Sequence, residues 1–101
     1  MKQKKENGVM MKCLKVTFSG DLPEGFLRDF VLKHAPKLSL EGTAQAMPDA
    51  TMRIMLCGHK DSVDQFLDLL HKGEGKAIPE NIEIEPFVKD RDFRGVFRVI
   101  E

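Results

Sequence analysis

The sequence predicts a two-layer α+β fold, in which two helices cover one face of a mostly antiparallel sheet. Several segments alternate apolar and polar residues at period two, and two others repeat apolar residues at helical spacing. These segments follow one another in the order β-α-β-β-α-β, with a short extra strand at the end. The 101 residues suit one domain, and 42% hydrophobic with 32% charged residues is typical of a water-soluble folded domain.

Residues 1–10 are polar and basic without periodicity, so we predict a flexible tail followed by one domain over residues 11–101. Beyond residue 12, acidic side chains outnumber basic ones by three. A slightly acidic body argues against nucleic acid as the main ligand, because phosphate backbones bind clustered Lys and Arg. No apolar run approaches the ~18 residues that cross a bilayer, and no secretory signal is visible. We therefore expect neither a nucleic-acid nor a membrane partner.

The cysteines and histidines do not predict a metal site. Cys13 and Cys57 do not form a C-x-x-C pair and are too few for a disulfide scaffold. His34, His59 and His71 are scattered, without a cysteine or second histidine at ligand spacing. We therefore expect no metal or other cofactor, reduced thiols and a cytoplasmic protein.

The first β-α unit begins with a strand from residue 12. Its alternating apolar residues are Leu14, Val16 and Phe18. Residues 19–25, SGDLPEG, contain two glycines and a proline and predict a loop. Phe26 then opens a helix with apolar residues at three- and four-residue spacing. Pro36 should end this helix near His34.

A β-hairpin follows the first helix. Residues 41–47 can extend as a strand, and Pro48, Asp49 and Ala50 predict the turn. Residues 51–57 alternate again. Their apolar set is Met52, Ile54 and Leu56. The two strands should therefore pair in antiparallel fashion.

The second helix has the clearest pattern. Its apolar residues lie at i, i+3, i+4 and i+7. They are Val63, Phe66, Leu67 and Leu70. Asp61 is the predicted N-cap, and Gly73 can supply a left-handed C-cap. A strand built on Ile82 and Ile84, a polar connection and a final strand over residues 95–100 complete the chain.

Right-handed crossovers place both helices on one face of the sheet, which defines a ferredoxin-like split βαβ sandwich. The named apolar residues of strands and helices, with Phe26 or Leu27, Phe30, Val31 and Val99, should form its core. Cys13 and Cys57 lie on neighbouring strands, and both occupy positions that alternate with the predicted core residues. We expect their thiols on the same sheet face, within ~8 Å of each other, and reduced, because cross-strand geometry strains a disulfide.

A strand, a glycine-containing loop and a helix N-terminus together form an arrangement that binds anions. Arg28 lies on the first turn of the predicted helix, where its guanidinium could hold a phosphate in bidentate fashion. An ordinary solvated arginine at a helix start is the alternative interpretation.

Residues 20–28, GDLPEGFLR, resemble the G-R-V-Q-G-V-G-F-R signature of the acylphosphatase family. Residues 58–66, GHKDSVDQF, are similar to its G-x-x-x-x-V-x-x-F motif, and residues 97–99 to its last strand. The resemblance covers residues 11–100 and implies a ferredoxin-like fold. It also implies hydrolysis of acyl phosphates to carboxylate and phosphate, without a metal or covalent intermediate. The phosphate-binding residues that it implies are Gly25, Phe26, Leu27 and Arg28, with Arg28 catalytic.

The sequence departs from the family at residues that carry the chemistry. The family's G-W-V-x-N segment has an asparagine that holds the attacking water, and the matching position here is Ala46. Gln45 is one residue away and points to the opposite sheet face. Pro23 lacks a backbone N–H, and Asp21 and Glu24 add negative charge where a phosphoryl group would bind. We therefore predict that activity is reduced or lost.

Two further functions are alternatives to hydrolysis. A non-catalytic binding module would use the sheet face or the altered loop to bind a protein or a small phosphorylated or anionic ligand. An RNA-recognition module is weaker, because the helix-free face offers Lys15, Arg53 and Met55 without stacking aromatic residues. We expect a monomer in either case.

Overall fold

The computed structural model describes residues 11–88 and 93–100. The predicted tail and residues 89–92 of the polar connection lie outside these ranges. The elements are β1 (Met11–Ser19), α1 (Phe26–His34), a 3-10 turn (Pro36–Leu38), β2 (Glu41–Ala46), β3 (Met52–His59), α2 (Lys60–Lys72), β4 (Glu80–Pro86) and β5 (Phe97–Ile100).

The five strands form one sheet in the order β4-β1-β3-β2-β5. β5 runs parallel to β2, and the other three pairings are antiparallel. α1 packs over β2 and β5, whereas α2 packs over β3 and β1. Both helices therefore lie on one face of a mostly antiparallel sheet, and the predicted α+β, ferredoxin-like fold is confirmed.

The core lies between the helices and the sheet and matches the predicted parity. Leu14, Val16, Phe18, Ile54 and Leu56 are buried from the strands; Phe26, Leu27, Phe30, Val31, Val63, Phe66 and Leu70 are buried from the helices. Met52, Leu67, Ile82 and Val99 are half-buried against this cluster. A one-residue slip would have exposed the whole set, so the predicted register is confirmed.

Ile84 was predicted to lie in the core, and this prediction is wrong. Its side chain is 42% exposed, although Ile84 pairs with the buried Val16 of β1. β4 is an edge strand that lies outside the area under α2, so an apolar residue on its helix-side face stays in contact with water.

The ends of the helices differ in detail from the prediction. α2 begins at Lys60, and its N-cap is His59, whose Nδ1 accepts a hydrogen bond from the Asp61 amide at 3.4 Å. Asp61 is therefore not the cap; it lies in the first turn, where its carboxylate still favours the helix dipole. Gly73 follows the helix with φ 76° and ψ −168°, so its positive φ is confirmed and its ψ lies outside the left-handed helical region.

Cys13 and Cys57 face each other directly across β1 and β3 and form a disulfide, with Cα atoms 4.1 Å apart. The same-face prediction is confirmed, and the prediction of reduced thiols is wrong. The Cys13 carbonyl accepts a hydrogen bond from the Phe87 amide, so it points toward β4 and away from β3. Cys13 and Cys57 are thus a non-hydrogen-bonded pair, the position in an antiparallel ladder where opposite side chains come closest.

Candidate functional site

The loop after β1 and the end of β2 lie at the same end of the sheet. β1 and β2 both run antiparallel to β3, which lies between them, so the carboxyl ends of β1 and β2 point in the same direction. Phe18 and Ala46 both pair with Met52 of β3. Phe18 therefore lies two strand spacings from Ala46, or roughly 10 Å, and residues 20–25, here called the candidate loop, begin two residues after Phe18.

The backbone of the candidate loop turns twice before α1 begins. The Leu22 amide donates to the Gly20 carbonyl at 3.0 Å, and the Phe26 amide donates to the Pro23 carbonyl at 3.1 Å. Gly25 is the N-cap of α1, with φ 84° and ψ −2°, a left-handed conformation that favours glycine. The Leu22 amide is thus bonded inside the loop, the Phe26 amide at the start of α1 is bonded to a loop carbonyl, and Pro23 has no N–H to offer.

The four predicted phosphate-binding residues lie together at the first turn of α1. The side chains of Phe26 and Leu27 are buried in the core, so only their backbones face the loop. Arg28 is exposed, on the side of the helix away from the core. Arg28 lies in the first turn of α1, near the positive end of the helix dipole, and an anion at this end would be stabilised by the dipole and by a guanidinium.

The end of β2 carries no polar side chain toward the candidate loop. Ala46 is exposed at this end and presents only a methyl group. Gln45 lies on the opposite, helix-free face, where its Oε1 accepts from Arg53 Nη2 at 3.4 Å. The hairpin turn beyond it is closed by Asp49, whose carboxylate accepts from the amide and hydroxyl of Thr51. The predicted turn and the predicted orientation of Gln45 are both confirmed.

Comparisons of the sequence with known proteins point to the acylphosphatase family. The sequence model of the acylphosphatase family matches residues 14–99. A curated acylphosphatase of Coxiella burnetii (strain RSA 493 / Nine Mile phase I) is 31% identical over 96 residues, which cover 93% of this chain and 98% of that protein.

The chain belongs to the acylphosphatase family.

Solved structures of acylphosphatases share the fold. One from Coxiella burnetii superposes with a TM-score of 0.78 at 30% identity, covering 89% of this chain and 93% of that chain. One from Bacillus subtilis gives a TM-score of 0.74 at 19% identity, covering 91% of this chain and all of that chain. The described strands and helices therefore form an acylphosphatase-like domain.

Carboxylates surround the first turn of α1 in this acylphosphatase-family chain. Asp21 and Glu24 are exposed on the candidate loop. A Cβ on Gly25 would lie 3.8 Å from Asp29 Oδ2, so this third carboxylate lies beside the helix N-cap. These groups complement the helix dipole, but they also repel an incoming phosphate dianion.

Glu74, on the loop after α2, was not identified from the sequence. It accepts from His34 Nε2 at 2.8 Å and from Lys33 Nζ at 3.2 Å, both at the end of α1. The hydrogen bond from His34, followed by that from Lys33, lowers the pKa of the Glu74 carboxyl below its usual value. No local pattern could have indicated this cluster, because about 40 residues of chain separate its members.

A cleft of about 380 Å³ lies between the candidate loop and Glu74. The cleft is lined by the carboxylates of Glu24, Asp29 and Glu74, by Lys33 and by aromatic residues of α1. Three carboxylates against one ammonium make this cleft a poor receptor for an anion, although it adjoins the candidate loop.

Within residues 11–88 and 93–100, no group of three or more His, Cys, Asp or Glu side chains is arranged to hold a metal ion. Over the same ranges, no helix is both long and apolar enough to span a bilayer.

Proposed function

We propose that this acylphosphatase-family chain hydrolyses acyl phosphates slowly or not at all. The observation that carries the proposal is Ala46, exposed at the end of β2 and at the same end of the sheet as the candidate loop. The family motif has asparagine at this position to hold the attacking water.

The reaction needs a phosphoryl group and a water molecule held in line. The water oxygen would bond to phosphorus while the bond from phosphorus to the carboxylate oxygen breaks, releasing phosphate, carboxylate and a proton. Arg28 and the start of α1 would stabilise the charge on the phosphoryl oxygens. The methyl group of Ala46 accepts no hydrogen bond, so it leaves the water unoriented. Loss of one such preorganised group raises the barrier by ~3–4 kcal/mol, a factor of roughly 10²–10³ in rate.

Phosphoryl binding at the candidate loop is weakened for a separate reason. The amides of Leu22 and Phe26 are bonded within the loop, and Pro23 has none. Asp21 and Glu24 add repulsion at the same place. We therefore propose weak binding of a small phosphorylated or anionic ligand through Gly25, Phe26, Leu27 and Arg28.

Hydrolysis of benzoyl phosphate tests the proposal. We expect the Ala46→Asn variant to exceed the wild-type rate, and Ala46→Leu to stay at the wild-type level, because leucine has the shape of asparagine without its hydrogen-bonding groups. Adding changes at Asp21, Pro23 and Glu24 to Ala46→Asn should raise the rate further, with coupled effects.

Arg28→Gln is the control for the site itself. It should abolish any rate gained by Ala46→Asn, and it should remove shifts of the Gly25–Arg28 amide resonances during a phosphate titration. Wild-type turnover equal to that of Ala46→Asn, and lost in Arg28→Gln, would show instead a working hydrolase with another water-holding group.

A second candidate, a non-catalytic binding module, is favoured by a cationic concavity on the helix-free face of the sheet. A monomer is the proposed state for both functions, and light scattering at micromolar concentration measures it.

A further inference from the structure

The helix-free face of the sheet gathers cationic side chains that the proposed hydrolysis does not use. Lys15, Met55, Thr43 and Arg98 follow one another across β1, β3, β2 and β5 as directly paired residues. Arg53 lies two residues further along β3, paired with Gln45. We call Lys15, Arg53 and Arg98, with the Met55, Thr43 and Gln45 side chains between them, the cationic face.

The cationic face is concave. It forms the floor of a depression of about 710 Å³ whose wall includes Phe93, Arg94 and Val96, the residues that lead into β5. Ligand pockets for small molecules have volumes of roughly 300–1,000 Å³. The depression is therefore large enough for a small organic molecule, and its floor combines charge with the thioether of Met55.

The positive charge of this face is only partly neutralised by the protein. Arg53 donates to a neutral amide oxygen, Gln45 Oε1, at 3.4 Å. Arg98 is exposed, and its guanidinium makes no hydrogen bond or ion pair with another residue of the described ranges. Lys15 pairs with Glu85 at 3.5 Å. Two guanidinium groups thus line the depression, and neither has a carboxylate partner among residues 11–88 and 93–100.

The neighbouring carboxylates lie at the rim of the cationic face. Glu83 and Glu85 are on the edge strand β4, opposite Thr17 and Lys15. Glu41 lies toward the Cys57 end of the sheet and accepts from the Gly95 amide at 3.0 Å. Among the described residues, the lining of the depression contains no carboxylate.

We propose that the cationic face binds a small polyanion, a molecule with two or more phosphate or carboxylate groups. Lys15 and Arg98 are three strand spacings apart, roughly 14 Å between Cα atoms. The side chains of Lys15 and Arg98 are long enough to extend toward each other. Their charged ends can therefore contact anionic groups that lie between the two residues and are a few ångströms apart. Guanidinium groups bind phosphate and carboxylate oxygens in bidentate fashion, and a multivalent anion satisfies Arg53 and Arg98 together.

Titration calorimetry with inorganic triphosphate and with citrate tests this proposal and separates the two sources of charge. Binding of either is expected, with affinity falling as salt is added. Arg53→Gln and Arg98→Gln should each weaken binding about tenfold or more, because each removes a charge-assisted contact. Arg98→Lys should keep most of the affinity. Unchanged thermal midpoints show that the variants remain folded.

Arg28→Gln is the matched control, because it removes a guanidinium from the candidate loop and leaves the cationic face intact. Its polyanion affinity should equal that of the wild type. Loss of affinity in Arg28→Gln but not in Arg53→Gln or Arg98→Gln would overturn the proposal and place the anion at the loop. Tighter binding of an oligothymidylate than of triphosphate, lost in Arg98→Gln, would also overturn it in favour of a nucleic-acid surface. Neither result bears on benzoyl phosphate hydrolysis.

Discussion

The two faces of the sheet are built by different physical rules, although every strand contributes alternate residues to both. On the helix-covered face of β1 and β3, Leu14, Val16, Phe18, Ile54 and Leu56 are each no more than 5% exposed. On the other face, the same two strands carry the Cys13–Cys57 disulfide, Lys15, Arg53 and Met55.

The two faces of the sheet place different requirements on the residues that occupy them. Burial on the helix side constrains only polarity and volume, so many apolar sequences satisfy it. The helix-free side depends on which residues face each other, because a disulfide or an ion pair needs two particular groups at short distance. A substitution on the helix-covered face should therefore change the free energy of unfolding according to the side-chain volume that it removes. A substitution on the helix-free face should change it according to the interaction partner that is lost.

The largest expected effect is in the core that the helices form with the helix-covered face of the sheet. Phe66 is fully buried, and its ring packs edge-on against Phe30 with centroids 5.3 Å apart. Truncation by Phe66→Ala should lower the free energy of unfolding by ~3–5 kcal/mol. Met55→Ala, on the half-buried opposite face, should lower it by only about 1 kcal/mol. Urea denaturation measures both, and equal losses would erase the distinction between the faces.

The disulfide is the strongest single feature expected on the helix-free face. It closes a segment with a sequence separation of 44, and such cross-links stabilise by about 2–4 kcal/mol through the unfolded state. The double variant Cys13→Ala/Cys57→Ala should lose that amount in urea denaturation. A thiol titration of the unfolded, unreduced protein should find no sulfhydryl. Two titrating thiols would restore the expectation of reduced cysteines.

The smallest expected effect on stability comes from removing single carboxylates, one near the end of α1 and one on the helix-free face of the sheet. His34 and Lys33 lower the pKa of the Glu74 carboxyl in the folded state. This contribution to stability is present above the unfolded pKa and is lost as pH falls through the lower folded value. Glu74→Gln should therefore flatten the acid side of the melting-temperature profile below about pH 5.

Glu85→Gln is the matched variant, because it removes an exposed carboxylate that pairs with Lys15 on the helix-free face. A single exposed pair contributes little, so its profile should follow the wild type more closely. The same flattening in both variants would mean that the His34–Glu74 hydrogen bond adds nothing beyond general charge effects.

Sequence periodicity was sufficient for the covered face and for the order of the elements. Residues such as Val16 and Phe66 are buried as predicted, because parity and helical spacing are local properties of the chain. Ile84 shows the limit of this argument. Its parity is correct, but whether a helix lies above it depends on the position of β4 at the edge of the sheet.

The candidate site was predictable to the same extent. The motif over residues 20–28 indicated the loop and Arg28, and the comparison of residues 42–46 with the family's G-W-V-x-N segment indicated the departure at Ala46. The Asp29 carboxylate beside Gly25 and the bonds of Glu74 to α1 were not predicted. The Glu74 contacts arise only when the loop after α2 docks against the end of α1. Asp29 lies four residues from Gly25, so its position depends on the conformation of the first helical turn.

By itself, the sequence determined the α+β fold, the family and the face on which each strand residue lies, because these follow from the spacing of neighbours along the chain. Only the tertiary structure decided that Cys13 and Cys57 bond, that Ile84 stays in water and that Arg53 and Arg98 share one depression. The physical reason is that sheet order and ladder register set distances between residues far apart in sequence. Whether two cysteines can bond, whether a side chain is buried and whether two cationic side chains line the same depression all depend on those distances.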